Sequence, residues 1–195
     1  MTTTGILIFD GAEELDFVGP YEVFTMAAMD GDRVVLVAES AEPIRCAKGM
    51  RVLPDCTIAD ALELDVLVVP GGQGTRREVD NPALVDWIRA VAPGCTWVTS
   101  VCTGAFMLHA AGLLHERRTT THWASLDRLR DADGSHEVLE RVRYVRDGNV
   151  VTAAGISAGI DMALWVVGQI WGIEHARVTQ YAMEYDPAPP YAAVV

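Results

Sequence analysis

Hydrophobic and polar positions along this chain alternate between two periods. Short β-rich apolar runs near residues 5–9, 33–38, 65–69, 96–101, 142–146 and 149–153 predict strands. Longer amphipathic segments near 19–29, 81–92, 103–114, 157–171 and 173–183 predict helices. Runs such as Asp65-Val66-Leu67-Val68-Val69 carry no polar alternation, the pattern of a central strand covered on both faces. The expected fold is therefore α/β, a mostly parallel sheet sandwiched between helices. Punctuation agrees: Pro70-Gly71-Gly72 stops a strand, Asn81-Pro82 reads as an N-cap with Pro at the first helical position, and Gly112 suits a helix C-terminus. The irregular stretch 45–52 reads as a small hairpin, and the biased stretch Asp186 to Tyr191 as an extended cover or a loose end. No repeat or linker divides the chain, so residues 1–195 are expected to form one domain.

Composition narrows the partners. Half of the 195 residues are hydrophobic, enough for a full core. Fifteen basic against twenty-seven acidic residues give a net charge of −12, which opposes nucleic acid and anionic membrane surfaces. The apolar runs are too short to span a bilayer, and Met1-Thr2-Thr3-Thr4 leads directly into a strand without a signal-like segment. A soluble cytoplasmic protein is expected. Cys46, Cys56, Cys95 and Cys102 show neither C-x-x-C spacing nor a His at ligand distance, so they are expected to be reduced thiols and not a metal site.

Candidate chemistry centres on Ser100-Val101-Cys102-Thr103-Gly104, where an apolar strand meets a helix. A side chain on such an elbow is pushed into the open, and small residues on either side let the chain turn. A helix N-terminus also favours thiolate over thiol. The other reading of Cys102 is a small core hydrophobe. In open α/β sheets, loops after the strands converge at their carboxyl ends. The loop after the first strand brings Asp16, read either as a proton-transfer partner of the thiol or as an N-cap before Gly19-Pro20. In the loop Pro70-Gly71-Gly72-Gln73-Gly74 the glycines at 71, 72 and 74 read as candidates for an oxyanion hole, Gly72 together with the N–H of Thr103, or else as a tight turn. His122 reads as a general base returning to the pocket or as a structural histidine; the other four histidines are assigned to helix faces or surface. Ile156 and Ser157 open a helix after another strand and read as crevice lining, or as simple capping by Ser157.

At these residues the chain resembles the ThiJ/PfpI superfamily, the class I glutamine amidotransferase-like fold. The resemblance runs through Leu15-Asp16-Phe17-Val18-Gly19-Pro20, Val69-Pro70-Gly71-Gly72, Thr99-Ser100-Val101-Cys102-Thr103-Gly104, Ala110-Ala111-Gly112-Leu113-Leu114 and Thr120-Thr121-His122-Trp123. It implies a single-domain flavodoxin-like sandwich with a cysteine nucleophile elbow. Within the superfamily, Val-Cys-Thr-Gly, Thr-Thr-His-Trp, Gly155 to Asp161 and the tail from Glu184 resemble the isonitrile (isocyanide) hydratase branch, and also the sensor halves of AraC-type regulators. The hydratase resemblance implies addition of water to a small R–N≡C substrate without metal or organic cofactor. Cys102 would form a covalent thioimidate and Asp16 would serve as general acid/base. Thr103, Gly72 and Ile156 would orient the reacting groups, while Phe17 and Trp123 would receive the organic group. Peptidase-like members carry His directly after the nucleophile, where this chain has Thr103, and glyoxal-acting members favour Glu where it has Asp16. The regulator reading needs a DNA-binding region beyond the α/β unit, which the acidic chain ending at Val195 does not suggest; a stand-alone ligand or redox sensor is the alternative. The resemblance also implies a homodimer.

Overall fold

The computed structural model describes residues 1–60, 63–132 and 137–187. Its first half contains β1 (Thr3–Leu7), α1 (Glu14–Ala27), β2 (Arg33–Ala38), β3 (Ile44–Arg45), β4 (Arg51–Val52), β5 (Cys56–Thr57), β6 (Val66–Val69), α2 (Thr75–Glu78) and α3 (Pro82–Val91). Then follow β7 (Trp97–Val101), α4 (Gly104–Ala110), β8 (Arg118–Thr119), α5 (Leu126–Asp131), β9 (Glu137–Val138), β10 (Tyr144–Asp147), β11 (Val150–Ala153), α6 (Ala158–Ile170) and α7 (Ile173–Ala182). Seven strands form one sheet in the order β10-β11-β7-β6-β1-β2-β5. All neighbours in it are parallel except the edge pair β10 and β11, which form an antiparallel hairpin. The fold is the expected mostly parallel α/β sandwich.

Every residue of β6 and β11 is buried, as the unbroken valine-rich runs require of strands covered on both faces. Helix α1 packs on α6 and α6 on α7, while α3 packs on α4. Asn81 accepts the Ala83 N–H at 3.1 Å ahead of Pro82, so α3 starts where its capping signal lies. The expected hairpin is present: β3 pairs antiparallel with β4, Ile44 facing Val52. All four cysteines are free. His109 lies on α4, His115 is exposed, and His175 on α7 holds the Ala27 carbonyl at 2.7 Å. His136 and the tail beyond Pro187 lie outside the described residues. No described helix is long and apolar enough to cross a membrane.

One boundary differs in a way that bears on the site. Helix α1 begins at Glu14 and not near residue 19, so Gly19 and Pro20 are interior and Asp16 sits in the first turn. Pro20 removes the N–H that would bond the Asp16 carbonyl, a defect that ordinarily breaks a helix. Tertiary packing overrides it. A β carbon on Gly19 would come within 2.9 Å of Ile160, and one on Gly159 within 3.0 Å of Val101. The two glycines let α6 press against both the helix carrying Asp16 and the strand leading to Cys102. The short elements β5, α2, α5 and the parallel pair β8 and β9 carry too few residues to show a period.

The contact of α4 with the end of β6 is closer still, because a β carbon on Gly104 would collide with the carbonyl oxygens of Val69 and Pro70. Gly104→Ala is expected to destabilise the fold by about 1–3 kcal/mol through overpacking. Urea unfolding measures it; an unchanged midpoint would show that α4 can shift freely and that the contact is not rigid.

Candidate active site

Four strand ends meet at one point. After β7 the backbone turns at Cys102, a side-chain-bearing residue at φ 56, in the left-handed region. Its N–H donates to the Ala153 carbonyl of β11 at 3.1 Å, and its own carbonyl accepts the Thr121 hydroxyl at 2.6 Å. The elbow is fixed from both sides. Thr103 caps no helical N–H. Instead its Oγ1 accepts the Gly72 N–H at 3.0 Å, and the Thr75 hydroxyl, also 3.0 Å away, donates to the Gly72 carbonyl at 2.7 Å. The Thr103 N–H and hydroxyl both face the Cys102 sulfur and favour its ionised form.

Asp16 reaches the same point from α1. It is completely buried, and its Oδ2 accepts the Gly71 N–H at 2.9 Å. Its Oδ1 is buried with no hydrogen-bond partner, and the Cys102 thiol lies beside the same carboxyl. A β carbon on Gly71 would come within 2.5 Å of the Thr103 nitrogen and 2.9 Å of Asp16 Oδ2, so only glycine fits between acid and elbow. Asp16 is thus no helix cap. Burial, countered by the Gly71 N–H and aided by the charge of Glu13, raises its pKa to about 7. Burial and the Asp16 charge push the Cys102 thiol up to about 12. Two acids share one enclosed space, and the first ionisation of the pair leaves a single proton between carboxyl and sulfur.

The surrounding charges come from the β3–β4 hairpin and the loop before α1. Lys48 at the hairpin tip pairs with Glu13 at 2.6 Å, and its N–H donates to Glu14 Oε1 at 2.7 Å. The Ala47 N–H donates to the Ala12 carbonyl at 2.8 Å, while the Glu13 N–H donates to Gly71 at 2.9 Å. The hairpin is therefore docked against the loop that carries both acids.

Of the residues expected at the site, the structure brings Cys102, Asp16, Thr103 and Gly72 together. Gly72 takes a different part from the one its position suggested: its N–H is engaged by the Thr103 hydroxyl and so orients that group. His122 and Ile156 line a neighbouring cleft of about 470 Å³ with Thr121 and Trp123. Cys102, 7% exposed, does not line this cleft, but its carbonyl meets the hydroxyl of Thr121, which does. The His122 Nδ1 accepts the Ala124 N–H at 3.3 Å and burial lowers its pKa, which suits a neutral, oriented ring. Ile156 has φ 36, a strained value for a β-branched residue. Ser157 makes no side-chain cap; its hydroxyl accepts from Arg143 at 3.1 Å. Phe17 is buried in the core and not in this cleft, whereas Trp123 is largely exposed at its rim. Thr75, Thr121, Glu13 and Lys48 were not singled out by pattern, although Thr121 stands beside a residue that was; Gly71, expected with Gly72 and Gly74 in an oxyanion hole, donates its N–H to Asp16. Among the described residues no group of three or more His, Cys, Asp or Glu could hold a metal ion.

This elbow, acid and glycine bridge on a parallel sheet define an α/β protein with a buried cysteine at a strand-to-helix elbow beside a buried carboxyl. The DJ-1/PfpI family matches residues 3–169, and the chain belongs to that family. It is 42% identical over 187 residues to the isonitrile hydratase of Pseudomonas putida, covering 96% of this chain and 80% of that one. It is 30% identical over 169 residues to the HTH-type transcriptional regulator CdhR of Pseudomonas aeruginosa, covering 85% of this chain and 50% of that one. A crystal structure of a ThiJ/PfpI family protein from Pseudomonas syringae superposes with a TM-score of 0.90 at 31% identity, covering 97% of this chain and 77% of that one.

The raised Asp16 pKa ties the site to stability. A carboxyl at 3.8 in the unfolded chain and about 7 in the native one binds more protons when folded. Its contribution is fully present below pH ~4 and is lost as pH rises to ~7, a change of up to about 4 kcal/mol. Asp16→Asn should remove this dependence, so the variant gains stability relative to wild type between pH 4 and 8. Denaturation at the two pH values measures it; a constant difference would mean that Asp16 is ionised at its ordinary pKa.

Proposed function

We propose that this chain hydrates isonitriles to N-substituted formamides. The observation that carries the reading is the enclosed pair of Cys102 and Asp16, with the Asp16 pKa raised to about 7 beside a thiol at the elbow. The 42% identity to an isonitrile hydratase, across nearly the whole chain, supports the substrate class.

The first ionisation falls on Asp16, and transfer of the thiol proton to that carboxylate gives the reactive form of the pair, thiolate and carboxylic acid. Sulfur adds to the terminal carbon of R–N≡C while Asp16 gives its proton to that carbon, forming R–N=CH–S–Cys102. Water then adds to the same carbon, Asp16 taking a proton from it and passing one to nitrogen. The tetrahedral adduct collapses by breaking the C–S bond; its hydroxyl proton returns to Asp16 and R–NH–CHO leaves. One water is consumed, and thiolate and acid are restored. The Thr103 N–H and hydroxyl stabilise the thiolate in both steps, with the hydroxyl oriented by Gly72. An isonitrile is a two-atom rod with its electrophilic carbon at the tip, a shape suited to a nearly enclosed sulfur. The organic group stays in the cleft of His122, Trp123 and Ile156.

The second reading, a ligand or redox sensor, is favoured by the match to half of the regulator CdhR. We also propose a homodimer, since α1 exposes Leu15, Val18 and Met26 along one face and the hairpin adds Met50 nearby. Sedimentation velocity should give twice the chain mass; a strictly monomeric species would remove this part.

Formamide formation from an aromatic isonitrile, followed by absorbance, tests the reaction. Cys102→Ala should abolish it, and Asp16→Asn should lower turnover by about 10²-fold or more. In wild type kcat/KM should rise through pH ~7 as the pair loses its first proton, and in Asp16→Asn this limb should move to higher pH. No turnover of any aliphatic or aromatic isonitrile, with Cys102 oxidised selectively by peroxide, would favour the sensor.

A further inference from the structure

Two clefts lie back to back near the start of α6. The smaller, about 470 Å³, is the one lined by His122, Trp123 and Ile156. The larger, about 1030 Å³, runs between α6 and α7 and has apolar walls from Tyr144, Leu164, Trp165 and Ile173. Arg143 and Ser157 line both. These two shared residues are joined to each other, the Arg143 guanidinium donating to the Ser157 hydroxyl at 3.1 Å. Together they stand where the two clefts meet.

We propose that Arg143 determines the size of substrate this site accepts, by closing the smaller cleft against the larger one. The inference rests on the hydratase reading and deepens it. The guanidinium is bonded directly by Ser157 and Asp161 at the start of α6, and two further contacts brace its surroundings. Its Nε donates to Asp161 Oδ2 on α6 at 2.5 Å, and the Tyr185 hydroxyl, from the segment after α7, donates to the other oxygen of Asp161 at 3.0 Å. The Arg143 carbonyl accepts the Ala154 N–H at 2.8 Å, which ties its backbone to the wall that carries Ile156. The ion pair itself is half open to solvent, 51% exposed at Arg143 and 25% at Asp161. Pairs so exposed contribute little to folding. A planar group locked by two partners on one side of a cleft is thus a matter of position more than of stability. With the partition in place, the organic group of a substrate must fit the smaller cleft. Without it, a long or branched aryl group can extend across into the apolar walls of the larger one.

The test compares kcat/KM for ethyl isonitrile and biphenyl-4-yl isonitrile in wild type, Arg143→Ala and Arg143→Lys, with Cys102→Ala as the blank. Arg143→Ala should raise the bulky-to-small ratio by about tenfold or more, chiefly through KM for the bulky substrate. Arg143→Lys, which keeps bulk but not the fork, should fall between. Ser157→Trp, which thickens the partition at an exposed position, should lower the ratio and serves where Arg143→Ala does not fold. A ratio unchanged within about twofold in the folded variants overturns the inference while leaving the hydratase reading intact. Absence of turnover in wild type overturns the reading, and this inference with it.

Discussion

The backbone at Cys102 lies in a region of conformational space that a residue with a side chain occupies at a cost of about 1–3 kcal/mol. The rest of the site exists to hold it there. Its N–H is tied to β11 and its carbonyl to Thr121, so neither can relax toward an ordinary strand. Relaxation is also blocked from below, because Gly104 sits against the carbonyls of Val69 and Pro70 and Gly71 against the Thr103 nitrogen. The glycines on either side of the elbow act by leaving out a carbon at these close contacts. The strain is therefore local, while the structure that sustains it spans β6, β7, β11 and α4.

The same closeness decides the electrostatics. Asp16 is in the first turn of α1 and accepts an N–H from Gly71, two circumstances that favour a negative charge. A helix N-terminus contributes typically 0.3–1 kcal/mol in that direction. The rise from 3.8 to about 7 corresponds to some 4 kcal/mol the other way. Burial wins, and the carboxyl keeps its proton into the neutral range, where a solvated aspartate would have lost it. On the proposed hydratase reading, that protonated state is what would let Asp16 act as an acid from its buried position. Glu13 adds a second negative charge nearby, and Lys48 on the docked hairpin offsets it.

Much of this was legible in the sequence, for identifiable reasons. Central strands such as Val66–Val69 are read correctly because burial on both faces leaves an unbroken apolar run. Cys102, Thr103 and Gly72 stand in short motifs whose residue types follow from the elbow itself. The start of α1 was misread because Gly19-Pro20 has the local chemistry of a helix entrance; only packing against α6, invisible in one dimension, allows both residues inside the helix. Gly72 was read as a free donor because the sequence does not show that the Thr103 hydroxyl lies 3.0 Å from its nitrogen. Glu13, Lys48 and Thr121 belong to the site through contacts between distant segments, which no spacing rule encodes.

A cysteine at 7% exposure looks at first like a poor arrangement for a nucleophile. It is coherent if the reacting end of the substrate is slender and its remainder is not. Enclosure is then what keeps one proton shared between sulfur and carboxyl, since free access of water would solvate Asp16 and return it to an ordinary carboxylate. The smaller cleft is lined by Thr121, whose hydroxyl meets the Cys102 carbonyl, and by the Ala154 to Ser157 turn, and Cys102 itself is not part of its lining. The strained Ile156 at φ 36 opens that turn, and the Arg143, Asp161 and Tyr185 cluster braces it from outside. On the proposed reading, chemistry and selectivity fall to different parts of the fold: the first to a rigid junction of four strand ends, the second to a wall held in place with surface charges.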